Sequence, residues 1–146
     1  MNAAADTTGY SGTPLAQKLG LKDGQRVLFI SLPKELKDLR KSRHFVEIAE
    51  AGWETFTDGD PGYDVIHGFT ASRAVLADAA KPLMDSIDRD GSIWISWPKR
   101  ASKVATDITE DVIREVVLPI GLVDVKVAAV NEIWSGLKLV IRKELR

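Results

Sequence analysis

Lys34, Arg73, Lys99, Arg100 and Lys103, together with Trp97 and Trp134, form the set of side chains in this sequence best suited to holding a ligand. They fall in four short segments: SLPK (31–34), TASR (70–73), WPKRASK (97–103) and NEIWSG (131–136), the last also carrying Asn131 and Glu132. Basic groups beside indole rings hold an anion through charge-assisted hydrogen bonds and stacking. The expected ligand is therefore a nucleotide or a phosphorylated metabolite. The alternative is that these are solvated loop residues, with Trp97 and Trp134 packing the ends of a sheet.

Other candidates for chemistry are weaker. His67 suits a general base with Ser72 or Ser96 in reach, or a buried, hydrogen-bonded core residue, which is the expected role. His44 has no companion at metal-ligand spacing. The pairs Asp107/Glu110 and Asp111/Glu115 fit helix capping and surface charge rather than paired catalytic carboxylates. With no cysteine in the chain, disulfides, thiolate nucleophiles and Cys-ligated metals are excluded. No phosphate-binding loop, nucleophile elbow or zinc motif is present. No metal and no catalytic residue is expected.

The elements that position these segments belong to one domain, since 146 residues support one substantial core. A net charge of −1 argues against a nucleic-acid partner, and no apolar run reaches the length of a membrane span. The start of the chain has neither the basic nor the apolar block of a secretory signal. Residues 1–12 read as a flexible tail, 13–146 as the domain, and the location as cytoplasmic.

Thr13-Pro14 suggests an N-cap and first helical residue for LAQKL, with Leu15 and Leu19 facing inward and Gly20 ending the helix. RVLFIS is a strand buried on both faces. A helix follows Pro33, with Leu36 and Leu39 inside. Residues 44–57 hold a second strand, either HFVEIAE or WETFT, before the turn cluster DGDPG (58–62). YDVIHGF is a strand, and SRAVLADAAKPLMDSI is a helix with Leu76, Ala80, Leu83 and Ile87 on one stripe and a kink at Pro82. After the turn Arg89–Gly91, SIWISW is a strand. The next helix opens at Asp107–Asp111, with Ile108, Val112, Val116 and Ile120 as its stripe. VDVKVAA and GLKLVIRK close the chain as a hairpin, with Asp124 and Lys126 together on the less covered face. This order implies an α/β, Rossmann-like three-layer sandwich, its sheet mostly parallel with one C-terminal antiparallel strand. Ligands of such sheets sit beyond the carboxyl ends of the strands, and all four basic or aromatic segments should emerge on that rim.

The lead-in LGLKDGQRVLFI, the strands YDVIHGF and DGSIWISWP, and the closing hairpin resemble the class I S-adenosylmethionine-dependent methyltransferase fold. That family has a glycine-rich loop after its first strand; here the same place reads Ser31-Leu32-Pro33-Lys34. Glu50 and Asp58 are the acids nearest to where a ribose-binding carboxylate would stand. The longer phrases GYSGTPLAQKLGLK, SWPKRASKVATDITEDVIREV and GLVDVKVAAVNEIWSGLKLVIRK resemble a bacterial domain-of-unknown-function family of this length. The resemblance implies a methyltransferase-like fold with a degenerate cofactor loop. The expected function is a non-catalytic binding or regulatory module without a cofactor, its partner a small anion, a protein or a second copy. The alternatives are an enzyme acting on a small anionic substrate and, further off, an atypical methyltransferase.

Overall fold

Alternating apolar strands and amphipathic helices assemble as the order of elements requires. The computed structural model describes residues 14–146, so the expected tail and the Thr13 cap lie outside the described residues. Six strands form one sheet: β1 (Arg26–Ile30), β2 (Glu47–Ala51), β3 (Tyr63–Phe69), β4 (Ile87–Pro98), β5 (Leu122–Ala129) and β6 (Trp134–Ile141). Their order is β2-β1-β3-β4-β6-β5. β2, β1, β3 and β4 pair in parallel, and β6 lies antiparallel between β4 and β5. The penultimate strand is thus at the edge, as a hairpin folded back beside β4 demands.

Two layers cover the sheet. On one face α1 (Leu15–Lys18) and a 3-10 segment, 34–41, bury Leu15, Leu19, Leu36 and Leu39 against Val27, Phe29, Val65 and Trp94. On the other, α2 (Arg73–Ser86) and α3 (Glu110–Val117) place Leu76, Leu83, Ile113 and Val117 on Leu28, Ile30, Ile66, Ile93 and Ile95. Gly20 ends α1 at φ 72°, its N–H bonded to the Gln17 carbonyl while that of Leu21 reaches Ala16. This pairing satisfies the last carbonyls of the helix. Pro14 itself stands in the capping position, just before the helix rather than in it.

One open alternative is decided and several local expectations are corrected. The second strand comes from HFVEIAE, whereas WETFT supplies only a turn and the 3-10 segment Phe56–Asp58. The helix after Pro33 is 3-10 in form. α2 continues through Pro82: the carbonyl deprived of a partner is that of Asp78, an exposed residue. β4 begins at Ile87, and the residues between Ile87 and Ser92 form an irregularity against β3 rather than a turn ahead of the strand. α3 is capped by Thr109, whose hydroxyl oxygen accepts the Val112 N–H at 3.2 Å. The helix therefore starts after Ile108, and its buried stripe is Ile113 and Val117. In β5 a bulge at Val125 interrupts the alternation, so Asp124 and Lys126 do not share a face. Asp124 reaches Arg114 of α3 at 3.0 Å, and Lys126 donates to the Lys18 carbonyl of α1 at 3.1 Å. No helix among the described residues is long and apolar enough to cross a membrane.

Candidate functional site

The sheet reverses its winding between β1 and β3, and a ligand of this architecture belongs beyond their carboxyl ends. Three strand ends build that crevice. After β1, Ser31 takes the left-handed conformation, φ 55°, and donates its N–H to the Ala51 carbonyl at 2.9 Å. Leu32 is buried in the α1-side core, and Pro33 has no N–H to offer. The chain keeps a left-handed turn here without glycine, and the buried Leu32 follows it as an apolar anchor. Ser31→Gly relieves roughly 1–2 kcal/mol of left-handed cost against roughly 0.4–1 kcal/mol of extra unfolded-state freedom. A higher urea midpoint, worth about 0.5–1 kcal/mol, is expected.

Glu50, the last carboxylate of β2, is not free. The strand ends at Ala51, followed by Gly52. Glu50 is bound by Lys37 at 2.6 Å and Arg40 at 2.8 Å. The Lys37 hydrogen bond above all, then that of Arg40, holds its carboxyl below the usual value against the opposing effect of burial. Asp58 lies in the 3-10 segment further on.

Trp53 follows Gly52 and lies at the crevice. From the end of β2 its side chain reaches past β1 to β3, where the indole N–H donates to the Phe69 carbonyl at 2.9 Å. The ring lies on Gly68: a Cβ at that position would meet Cη2 of Trp53 and come within 2.8 Å of Cζ2. Phe56 backs it edge-on at 6.0 Å. Sequence reasoning had given Trp53 no role. The signal was Gly68, since a glycine within a strand marks close approach by another group.

The seven residues expected to bind an anion lie near this end of the sheet but do not gather at one place. Trp97, Arg100 and Lys103 line one cleft on the α2–α3 side. Trp134 lies on the α1 side, its ring edge-on to Phe69 at 5.3 Å. Lys99 is half-buried; burial lowers its pKa, opposed by Glu132, and its charge in turn is felt by Lys18 of α1. Arg73 opens α2, and its guanidinium is 3.6 Å from Glu115 of α3. Lys34 is exposed at the start of the 34–41 segment. Asn131 is buried, and its side-chain oxygen accepts the N–H groups of Ile133 and Trp134 at 2.9 and 2.8 Å, shaping the β5–β6 turn.

His67 is 1% exposed and shares a 2.7 Å hydrogen bond with Ser96, which is fully buried. Its ring stacks on Phe69 at 4.2 Å, and burial pushes its pKa down to about 3. Ser72 instead caps α2 through the Val75 N–H. His67 is thus a neutral core histidine. Among the described residues no group of three or more acidic, His or Cys side chains is arranged to hold a metal.

Solved structures share this architecture. An S-adenosylmethionine-dependent methyltransferase from Aquifex aeolicus matches with a TM-score of 0.63 and 15% identity, covering 87% of this chain and 87% of that one. Fibrillarin from Aeropyrum pernix, solved with natively bound S-adenosyl-L-methionine, matches with a TM-score of 0.52 and 15% identity over 86% of this chain and 73% of its own. TrmN from Thermus thermophilus matches with a TM-score of 0.55 and 11% identity over 87% of this chain, which spans about half of that protein, 47%. No known family profile matches the sequence. No curated protein matches it in sequence. The fold is that of the S-adenosylmethionine-dependent methyltransferases.

Proposed function

We propose that this chain is a binding or regulatory domain built on the methyltransferase fold, which does not itself transfer methyl groups. The observation that carries the reading is Trp53, whose indole lies on Gly68 and bonds to the Phe69 carbonyl at the reversal of the sheet. A cofactor placed there meets a packed indole in place of open backbone. Ser31, the buried Leu32 and Pro33 support the same reading, because they offer no run of free amides. So does His67, the nearest approach to a catalytic base: it is buried and neutral, with Ser96 as its hydrogen-bond partner among the described residues. In this reading the domain belongs to a bacterial family of its own length and works in the cytosol. Its partner is a small anion, a protein or a second copy of the chain.

Calorimetric titration with S-adenosylmethionine tests the proposal. No heat of binding and no rise in melting temperature are expected. A dissociation constant of micromolar order, corresponding to about −8 kcal/mol, would overturn it.

A further inference from the structure

Both non-glycine residues with positive φ among the described residues stand on the same rim: Ser31, and Lys103 at 61°. Such backbone persists where its surroundings over-determine it, and it concentrates at functional sites. Around Lys103 the surroundings are explicit. Ser102 donates twice to the Lys99 carbonyl, through N–H at 3.0 Å and Oγ at 2.7 Å. Lys103 N–H bonds to the Arg100 carbonyl at 3.1 Å, and Val104 N–H to Ser102 Oγ at 3.2 Å. The facing wall is pinned to the start of α2. Thr106 Oγ1 donates to the Ala71 carbonyl at 2.8 Å and accepts the Ile108 N–H at 3.0 Å. Asp107 Oδ1 accepts the Arg73 N–H at 2.7 Å.

Between these fixed walls lies a cleft of about 350 Å³, lined by Trp97, Arg100, Lys103, Val104, Thr106 and Ile108 among others. Its floor is apolar, with Trp97 and Ile108 buried and Val104 48% exposed. Arg100 and Lys103 make no ion pair or side-chain hydrogen bond among the described residues. The nearby carboxylates are engaged elsewhere: Asp107 by the Arg73 N–H, Glu110 and Asp111 by Arg114 at 3.0 and 2.9 Å. Two cations without an ion pair among the described residues therefore stand over a largely apolar floor in a cleft of ligand size.

We infer that this cleft binds a small phosphate monoester bearing a flat ring, with the phosphate between Arg100 and Lys103 and the ring against the exposed Val104 side chain, over the mostly buried Trp97. The inference deepens, and rests on, the reading of the chain as a binding domain. It draws on charge-assisted hydrogen bonds and on the exclusion of water from the apolar floor.

The test is calorimetry at about 20 mM and 150 mM salt, with adenosine monophosphate and uncharged adenosine as probes. The proteins are wild type, the double variant Arg100→Ala/Lys103→Gly, and the charge-matched control Lys41→Ala/Lys143→Ala. Glycine tolerates the left-handed backbone at 103, so the double variant keeps its turn. Adenosine monophosphate is expected to bind wild type and the control alike, and to bind the double variant roughly tenfold or more weakly. Adenosine should bind at least that much more weakly than the monophosphate, and higher salt should weaken the monophosphate alone. Equal affinity of both double variants for the monophosphate, or no binding to wild type, would overturn the assignment. S-adenosylmethionine titrated into the same samples separates the two readings. Its binding to wild type would remove the non-methyltransferase proposal, whereas silence of both ligands would remove only this cleft.

Discussion

Replacing Trp94 with alanine is expected to lower stability by roughly 3–5 kcal/mol, with a fall in melting temperature of about 10–15 °C. The ring is fully buried in the centre of β4 and fills the α1-side core together with Phe29 and Leu19. It also supplies the only bond from the sheet centre to the end of α1, its indole N–H donating to the Leu19 carbonyl at 3.0 Å among the described residues. Gly136 of the neighbouring β6 makes room for it, since a Cβ there would stand 3.1 Å from Cε3. Truncation therefore removes apolar contacts, opens a cavity under α1 and leaves a helix-end carbonyl without its partner. Trp94→Phe keeps most of the ring and loses the N–H, so a smaller loss of about 1–2 kcal/mol is expected. Equilibrium unfolding in urea resolves the two. A Trp94→Ala loss below about 1 kcal/mol would mean that α1 is not packed as described.

The second large effect is an acid limb set by His67. Burial holds its folded-state pKa at about 3, against an ordinary value of 6.5. Above 6.5 neither the folded nor the unfolded chain protonates this ring, and its contribution to stability is complete. As the pH falls below 6.5 the unfolded chain takes up a proton that the folded chain refuses, and stability is lost progressively until about pH 3. The loss is about 1.4 kcal/mol per pH unit, so about 2–3 kcal/mol by pH 4.5. The groups against the ring are Ser96, Phe69 and Trp94, none of which offers a negative charge to rescue the imidazolium. His67→Gln retains a partner for Ser96 and does not titrate. At pH 7 the variant is expected to be the less stable protein, and the gap should narrow by the same amount per unit as the pH falls. A gap constant from pH 7 to pH 4.5 would show that water reaches the ring.

The feature that departs most from the sequence reading is the way the rim divides. Trp97 and Trp134 sit on paired strands at the same sheet end, yet Trp97 packs with the α2–α3 side and Trp134 with the α1 side. Side chains alternate along a strand, so a single step of register sends a ring to the opposite face. No count along the sequence reveals that step. The anion cluster read from composition accordingly separates into one cleft, formed by Trp97, Arg100 and Lys103, and residues that lie apart from it.

What the sequence determined by itself were the features set within a few residues of one another. RVLFI and SIWISW have the apolar, β-branched content that makes strands, DGDPG turns the chain, and Gly20 ends α1 in a conformation other residues resist. The alternation of these elements limited the topology to a mostly parallel sheet with a returning hairpin, because right-handed crossovers leave few other routes. That residues 31–34 after β1 contain no glycine was equally plain, being a matter of residue type alone. Only the tertiary structure decided what lies beside Gly68 at the crevice. Trp53 and Gly68 are on segments separated by β1, and each has meaning only once the other is beside it. The same holds for the bulge at Val125, which sends Lys126 to α1 and leaves Asp124 with Arg114. Such contacts are chosen by the packing of whole layers, whose summed burial outweighs the local preference of any single residue.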